Sequence, residues 1–277
     1  MNPSIESAAT RILQNMQRVY GKPSTRTRVD ESGFAHLDLG AYRRIRAELE
    51  AEGFVFVQDC AIAEINESPI TLMAPTMVRS LVSDDGHIVA SYFQVRPRWK
   101  RLWGKVFTGL RNGRWIGALK LIFKRSRVRH CVEFSSELGD GRFLSSSNAQ
   151  AAEKIGMPFE FDRRFHKTGT PWGVLLAEHR WRLAEALADG RVKAVASRDV
   201  DELEARFDRE SALKRLHRER MGWITHDELV KMSDGNVAAA DAIHAAIRAQ
   251  LDASASPPGG PDVGAVVVRR DGGAAND

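Results

Sequence analysis

Two short turns constrain this chain more than any other feature. Asp84-Asp85-Gly86 separates runs 77–83 and 87–95, and Gly139-Asp140-Gly141 separates runs 130–138 and 142–147. Gly adopts positive φ at no steric cost, so an Asp-Gly turn between β-prone runs specifies a hairpin. Two hairpins commit the middle of the chain to antiparallel pairing. Phe54-Val55-Phe56-Val57 supplies a leading buried strand, and Phe159-Glu160-Phe161 an edge strand. The expected fold is α+β: a mainly antiparallel sheet of about five or six strands with a helical C-terminal half.

Helical patterning frames the sheet. Ile5, Ala8, Ala9, Ile12, Leu13, Met16 and Val19 fall at helical spacing behind Ser4, and Gly21 and Pro23 end the run. Residues 22–32 are polar and expected to be linker. Asp38 is placed to cap a helix with Tyr42, Ile45 and Leu49 on one face and Gly53 as its stop. Beyond residue 168, Thr170 is placed to cap a helix carrying Pro171 at its first position. A short strand over 192–196 and a helix from Asp199 follow. Thr225-His226-Asp227-Glu228 has capping-box spacing, and 238–251 is an alanine-rich helix. From 254 onward Pro, Gly and Ala dominate. The expected organisation is a helix and linker over 1–32, a sheet core over 33–168, a helical part over 169–253 and a disordered tail over 254–277.

Between the two hairpins a few turn residues would suffice. The chain instead places its most unusual stretch there. No acidic residue occurs between Asp85 and Glu133, yet twelve Lys and Arg do, with Trp99, Trp103 and Trp115 among them. The whole chain has 41 basic and 36 acidic residues, so without those twelve the rest is net acidic. Trp99, Leu102, Trp103, Val106, Phe107 and Leu110 form one helical stripe, with Lys100, Arg101 and Lys105 mostly off it. Arg111-Asn112-Gly113-Arg114 interrupts the pattern. It resumes with Trp115, Ile116, Leu119, Ile122 and Phe123, flanked by Lys120 and Lys124. The spacing predicts a basic amphipathic helical hairpin inserted over 97–129. At about 1.5 Å per residue each arm reaches roughly 18 Å, short of the ~30 Å hydrocarbon core.

Three roles fit such a segment. Its stripe can cover the sheet, with the charges solvated outside. It can lie in a membrane interface, rings at the acyl boundary and cations among the headgroups. It can hold nucleic acid, although a groove-reading helix needs no apolar stripe with three Trp, and no recognised reader motif accompanies it.

Chemical motifs are sparse. Cys131 follows His130 and Cys60 follows Asp59. Neighbours on a strand point to opposite faces, so neither can activate its thiol, and structural cysteines are expected. Glu178-His179 has no second His at metal-binding spacing. The charged run 162–167 is expected to be a solvated loop, with a phosphate site beside Thr170 as its functional alternative. Ser145-Ser146-Ser147-Asn148 is expected to turn the chain. No glycine-rich phosphate loop, paired-Cys metal site or nucleophile elbow occurs, so no catalytic residue, cofactor or metal is assigned. The N-terminus has no signal-peptide pattern, and no apolar run approaches the roughly 20 residues of a membrane span. A cytoplasmic protein, peripheral at a membrane surface, is the expectation.

The leading functional expectation is a peripheral membrane-associated binding or scaffold protein contacting anionic lipid through 96–129. Its contact residues are Trp99, Lys100, Arg101, Trp103, Lys105, Phe107, Arg111, Arg114, Trp115, Lys120, Phe123 and Lys124. The alternative is a cytoplasmic enzyme with a site assembled from distant residues, recognisable by a concave polar pocket. Nucleic-acid binding ranks third.

Overall fold

The computed structural model describes residues 3–67, 73–98, 128–233 and 235–255. Its centre is a sheet in which β1 (Arg26–Arg28), β2 (Phe54–Ile62), β3 (Val78–Ser83), β4 (Val89–Val95), β5 (Arg129–Leu138), β6 (Phe143–Ser147) and β7 (Phe161–Phe165) lie side by side in chain order. β8 (Ala194–Val195) pairs with the end of β5. Every pairing is antiparallel except β6 with β7, which is parallel. The α+β class and mostly antiparallel sheet agree with expectation. The sheet has eight strands among the described residues rather than five or six, and it is mixed.

Each discrepancy has a local cause. β1 lies inside the expected linker, where Arg26 offsets its polarity by bonding Glu204 and stacking on Phe207. β7 starts at Phe161, the last residue of the expected edge strand, and runs into the charged run 162–167 expected to be a solvated loop. Its Phe161, Arg163 and Phe165 alternate with exposed Asp162 and Arg164, a strand pattern hidden by charge. Phe159 lies before that strand and is 91% exposed. The serine run does not turn the chain: Ser145, Ser146 and Ser147 are buried ladder residues of β6. Val55, expected in a buried strand, is 57% exposed. Gly86 does sit in its hairpin turn at φ +78°, and a Cβ there would meet Ala196 Cβ at 3.0 Å.

Seven α-helices are present among the described residues: α1 (Pro3–Tyr20), α2 (Leu39–Ala51), α3 (Ala63–Asn66), α4 (Trp172–Leu187), α5 (Val200–Arg220), α6 (His226–Met232) and α7 (Val237–Ala255). Asp38 and Asp199 cap α2 and α5, and the Thr225–Glu228 capping box opens α6. Thr170 does not cap α4. Pro171 occupies the N-cap, and the Thr170 hydroxyl donates to Lys167 O instead. No helix of the described residues is long and apolar enough to cross a membrane. The expected helical hairpin and all but the first residues of the expected tail lie outside the described residues.

Helices cover both faces of the sheet. Tyr42, Ile45 and Leu49 of α2, with Leu175, Leu176 and Leu183 of α4, pack on Phe54, Leu81, Ala90, Val132, Phe134 and Leu144. The opposite face carries α5, which brings Leu203 to Val82 and Val89. A second apolar cluster joins α1 to α6 and α7 through Leu13, Met16, Leu229 and Ile247.

His179 of α4 is buried against the sheet. Its Nε2 lies 2.9 Å from Ser136 Oγ and its Nδ1 3.4 Å from Ser146 Oγ. Burial, then the charges of Arg182 and Arg206, push the imidazole from 6.5 down to about 3. The unfolded chain therefore takes up a proton that the folded chain refuses. This contribution to stability is full above pH 6.5 and is lost as pH falls toward about 3. Urea unfolding of wild type and His179→Gln at pH 7 and pH 5 should show the variant losing about 2 kcal/mol less over that interval. Equal pH dependence in both proteins would refute a neutral buried His179.

Candidate functional site

The described residues include only the two ends of the basic segment. Val95 and Arg129 are cross-strand partners on β4 and β5, so the chain leaves and re-enters the sheet at one end. Pro97 bridges to Met73, and Ala74 N donates to Arg96 O. Arg98 Nη2 donates to Asn66 O at 2.8 Å, while the Asn66 amide clasps the Thr76 backbone through two bonds. Next to this root, Tyr92 Oη lies 2.7 Å from Nδ1 of exposed His130. Burial pushes the Tyr92 hydroxyl up to about 12, so it stays protonated and suited to donate to Nδ1. Gln94 fixes the pair to α2: its Nε2 donates to Tyr92 Oη and Asp38 O, and its Oε1 accepts from Asp38 N. Trp99, Lys100, Arg101, Trp103, Lys105, Phe107, Arg111, Arg114, Trp115, Lys120, Phe123 and Lys124 all lie outside the described residues.

Sequence reasoning missed a second region. A cleft of about 770 Å³ opens near the β1 edge of the sheet, between α2 and the 3₁₀ turn Glu31–Phe34. That volume is within the range of small-molecule sites. Arg43, Arg46 and Glu50 line it from one flank of α2, at i, i+3 and i+7. Phe56 and Asp59 reach it from β2. A register slip between Phe56 and Gln58 is what puts these two, three positions apart, on the same face.

Arg79 of β3 is the buried floor of the cleft, 3% exposed. Its Nε donates to Asp59 Oδ1 at 2.8 Å and its Nη2 to Asp59 Oδ2 at 2.6 Å, a bidentate pair. The same Nη2 reaches Glu31 Oε2 at 3.1 Å. Glu31 Oε1 accepts from Arg43 Nε at 2.9 Å, so one carboxylate joins two guanidiniums. Hydrogen bonding from Arg43 holds the Glu31 carboxyl below its ordinary range. Asp30 caps the turn that presents Glu31, accepting from Ser32 N. Arg46 Nε bonds Glu50, and its guanidinium lies 4.2 Å from the Phe56 ring centroid. The Arg79 guanidinium lies 5.6 Å from the same centroid.

The other candidates are closed to chemistry. Cys60 and Cys131 are buried, and burial pushes both thiols up to about 11, where the nucleophilic thiolate is scarce at neutral pH. His179 touches two serines, but it is fully buried. Glu178 pairs with His166, not with its neighbour His179. Among the described residues no group of three or more His, Cys, Asp or Glu is arranged to hold a metal ion.

No family model, curated protein or solved structure matches the chain.

Removing one partner of a buried ion pair leaves an uncompensated charge, whereas removing both does not. Asp59→Leu should therefore cost about 3–5 kcal/mol in urea unfolding. Asp59→Leu combined with Arg79→Met should recover most of that loss. Equal costs for the single and double variants would mean that Arg79 does not depend on Asp59.

Proposed function

We propose that the protein is a peripheral membrane-associated binding or scaffold protein that touches anionic lipid through residues 96–129. One observation carries this reading: twelve Lys and Arg with three Trp, and no acidic residue, between Asp85 and Glu133 of an otherwise net-acidic chain. Solvated helix faces normally mix both signs, and interleaved Trp and Lys/Arg are typical of membrane-interface segments. The pairing of Val95 with Arg129 supports the reading, because it roots both ends of the segment at one end of the sheet. Each well-placed cation gains about 1 kcal/mol from an anionic leaflet. Half of the twelve would thus supply several of the roughly 8 kcal/mol that micromolar binding requires, before any ring is inserted.

The cleft favours a second reading, an enzyme of unassigned reaction, since converging titratable groups in a concave polar pocket are what such a site needs. Sedimentation with vesicles of graded anionic content tests the first reading. Wild-type binding should rise with anionic fraction and weaken steeply with salt, as screening shortens the field to ~3 Å at 1 M. Changing Lys100, Arg101, Lys105 and Lys120 to Glu should reduce binding by orders of magnitude, since four attractions become repulsions. Equal binding of the two proteins would remove the electrostatic mechanism. Preference of the wild type for nucleic acid over vesicles would replace the ligand.

A further inference from the structure

The cleft gathers three guanidiniums from two chain segments, Arg43 and Arg46 of α2 and Arg79 of β3. Glu31 spans Arg43 and Arg79, one through each carboxylate oxygen, so these two cations lie on either side of a single carboxylate. Arg46 and Arg79 approach the same Phe56 ring, at 4.2 and 5.6 Å from its centroid. Three cations therefore lie among three carboxylates, Glu31, Asp59 and Glu50, and one ring. Each is held by one edge. Arg79 uses Nε and Nη2, Arg43 uses Nε and Nη2, and Arg46 uses Nε. A guanidinium has five N–H groups in a fixed fork. The Nη1 groups of all three make no hydrogen bond to described residues, and the site holds more donors than its carboxylates engage. Those carboxylates orient the forks rather than exhaust them.

A surplus of oriented N–H donors in a cleft of about 770 Å³ calls for an acceptor-rich ligand. A carboxylate presents two oxygens and suits one fork. A terminal phosphate presents three, and suits several forks converging from different directions. We propose that this cleft binds the phosphate group of a small phosphomonoester, with Arg43, Arg46 and Arg79 as donors and Phe56 as the apolar wall beside it. Glu31 and Asp59 are positioning residues that hold Arg43 and Arg79. The proposal does not rest on the lipid reading, because none of its residues belongs to segment 96–129.

Isothermal titration calorimetry of the full chain tests it, with inorganic phosphate and glycerol 3-phosphate as probes and chloride at equal ionic strength as reference. Both phosphates should give saturable heats that chloride does not. Arg43→Ala and Arg46→Ala, whose side chains are largely or partly exposed, should fold and weaken binding about tenfold or more, as loss of charged hydrogen bonds requires. Arg44→Ala removes the same charge from the same helix but lies outside the cleft lining. It should leave affinity unchanged. Vesicles bearing phosphatidic acid form a second arm. If they displace glycerol 3-phosphate from wild type but not from Arg46→Ala, the group can be a lipid headgroup. If they do not, the ligand is soluble, and the cleft assignment stands either way. The Lys100, Arg101, Lys105 and Lys120 charge-reversed protein should keep its phosphate affinity even where vesicle binding is lost. No phosphate heat above chloride, or equal losses in Arg43→Ala, Arg46→Ala and Arg44→Ala, would overturn the proposal.

Discussion

A guanidinium taken out of water must be met by acceptors already held in place, or the desolvation cost exceeds any contact it makes. This fold takes that risk at Arg79, Arg182, Arg206 and Arg218, all buried. Each ties one layer of the molecule to another. Arg79 joins β3 to the Glu31 turn through Asp59 and Glu31. Arg182 of α4 donates to Ser145 O, Ser146 Oγ and Asp162 O, locking the helix across β6 and β7. Arg218 of α5 meets Glu228 of α6 and the carbonyl of Gly156. Arg206 is the least satisfied: only its Nη2 is hydrogen-bonded, to Ser135 Oγ, with Glu210 Oε1 3.6 Å from its Nε. α5 brings few apolar side chains to the sheet, so its docking leans on these polar contacts and on Arg209 paired with Glu137. Layers joined this way have one register. A slip of one residue would strand a cation without its acceptor.

That dependence explains what could be seen in the sequence. Elements specified by their own residues were legible: both hairpins from their glycine turns, α2 and α5 from their Asp caps, α6 from its capping box. Elements specified by remote partners were not. β1 is a strand because Arg26 finds Glu204 and Phe207 far along the chain. β7 carries a period of two, but its intervening positions are Asp and Arg, and in isolation that looks solvated. The buried serines of β6 look like a turn until Arg182 meets Ser145 and Ser146 and His179 meets Ser146. The bulge that aligns Phe56 with Asp59 has no signature in composition.

The cleft shows the same limit at the level of function. Its residues come from a 3₁₀ turn, one flank of α2 and two strands, and nothing local links Glu31 to Arg79. A partial signal existed: Arg43, Arg46 and Glu50 recur at helical spacing beside the Tyr42, Ile45 and Leu49 face. Flank charges of that kind usually border a core rather than a ligand, and only the placement of Phe56 and Arg79 opposite them makes a site. The basic segment is the opposite case. Its chemistry is entirely local and therefore visible in the sequence, while its packing depends on partners that a single sequence does not name.

The sheet's edges limit where those partners can attach. A free edge strand recruits other chains by its unpaired backbone unless charge, shortness or cover prevents it. β1 is three residues long with Arg at both ends, and Arg26 is drawn under α5 by Glu204 and Asp208. β7 is five residues long and carries Asp162, Arg163 and Arg164. Neither edge is a long, flat, apolar template, and helices occupy both faces. Among the described residues, what remains is the end of the sheet where β4 and β5 release the basic segment, and the cleft near the β1 edge. The sequence places a run of cations at the first, and the fold gathers three guanidiniums at the second. The proposed lipid contact uses a run of cations beside tryptophans because position along an anionic leaflet is immaterial. Forks held by carboxylates suit a single anion of defined geometry, because each fixed edge sets the direction of the edge left open.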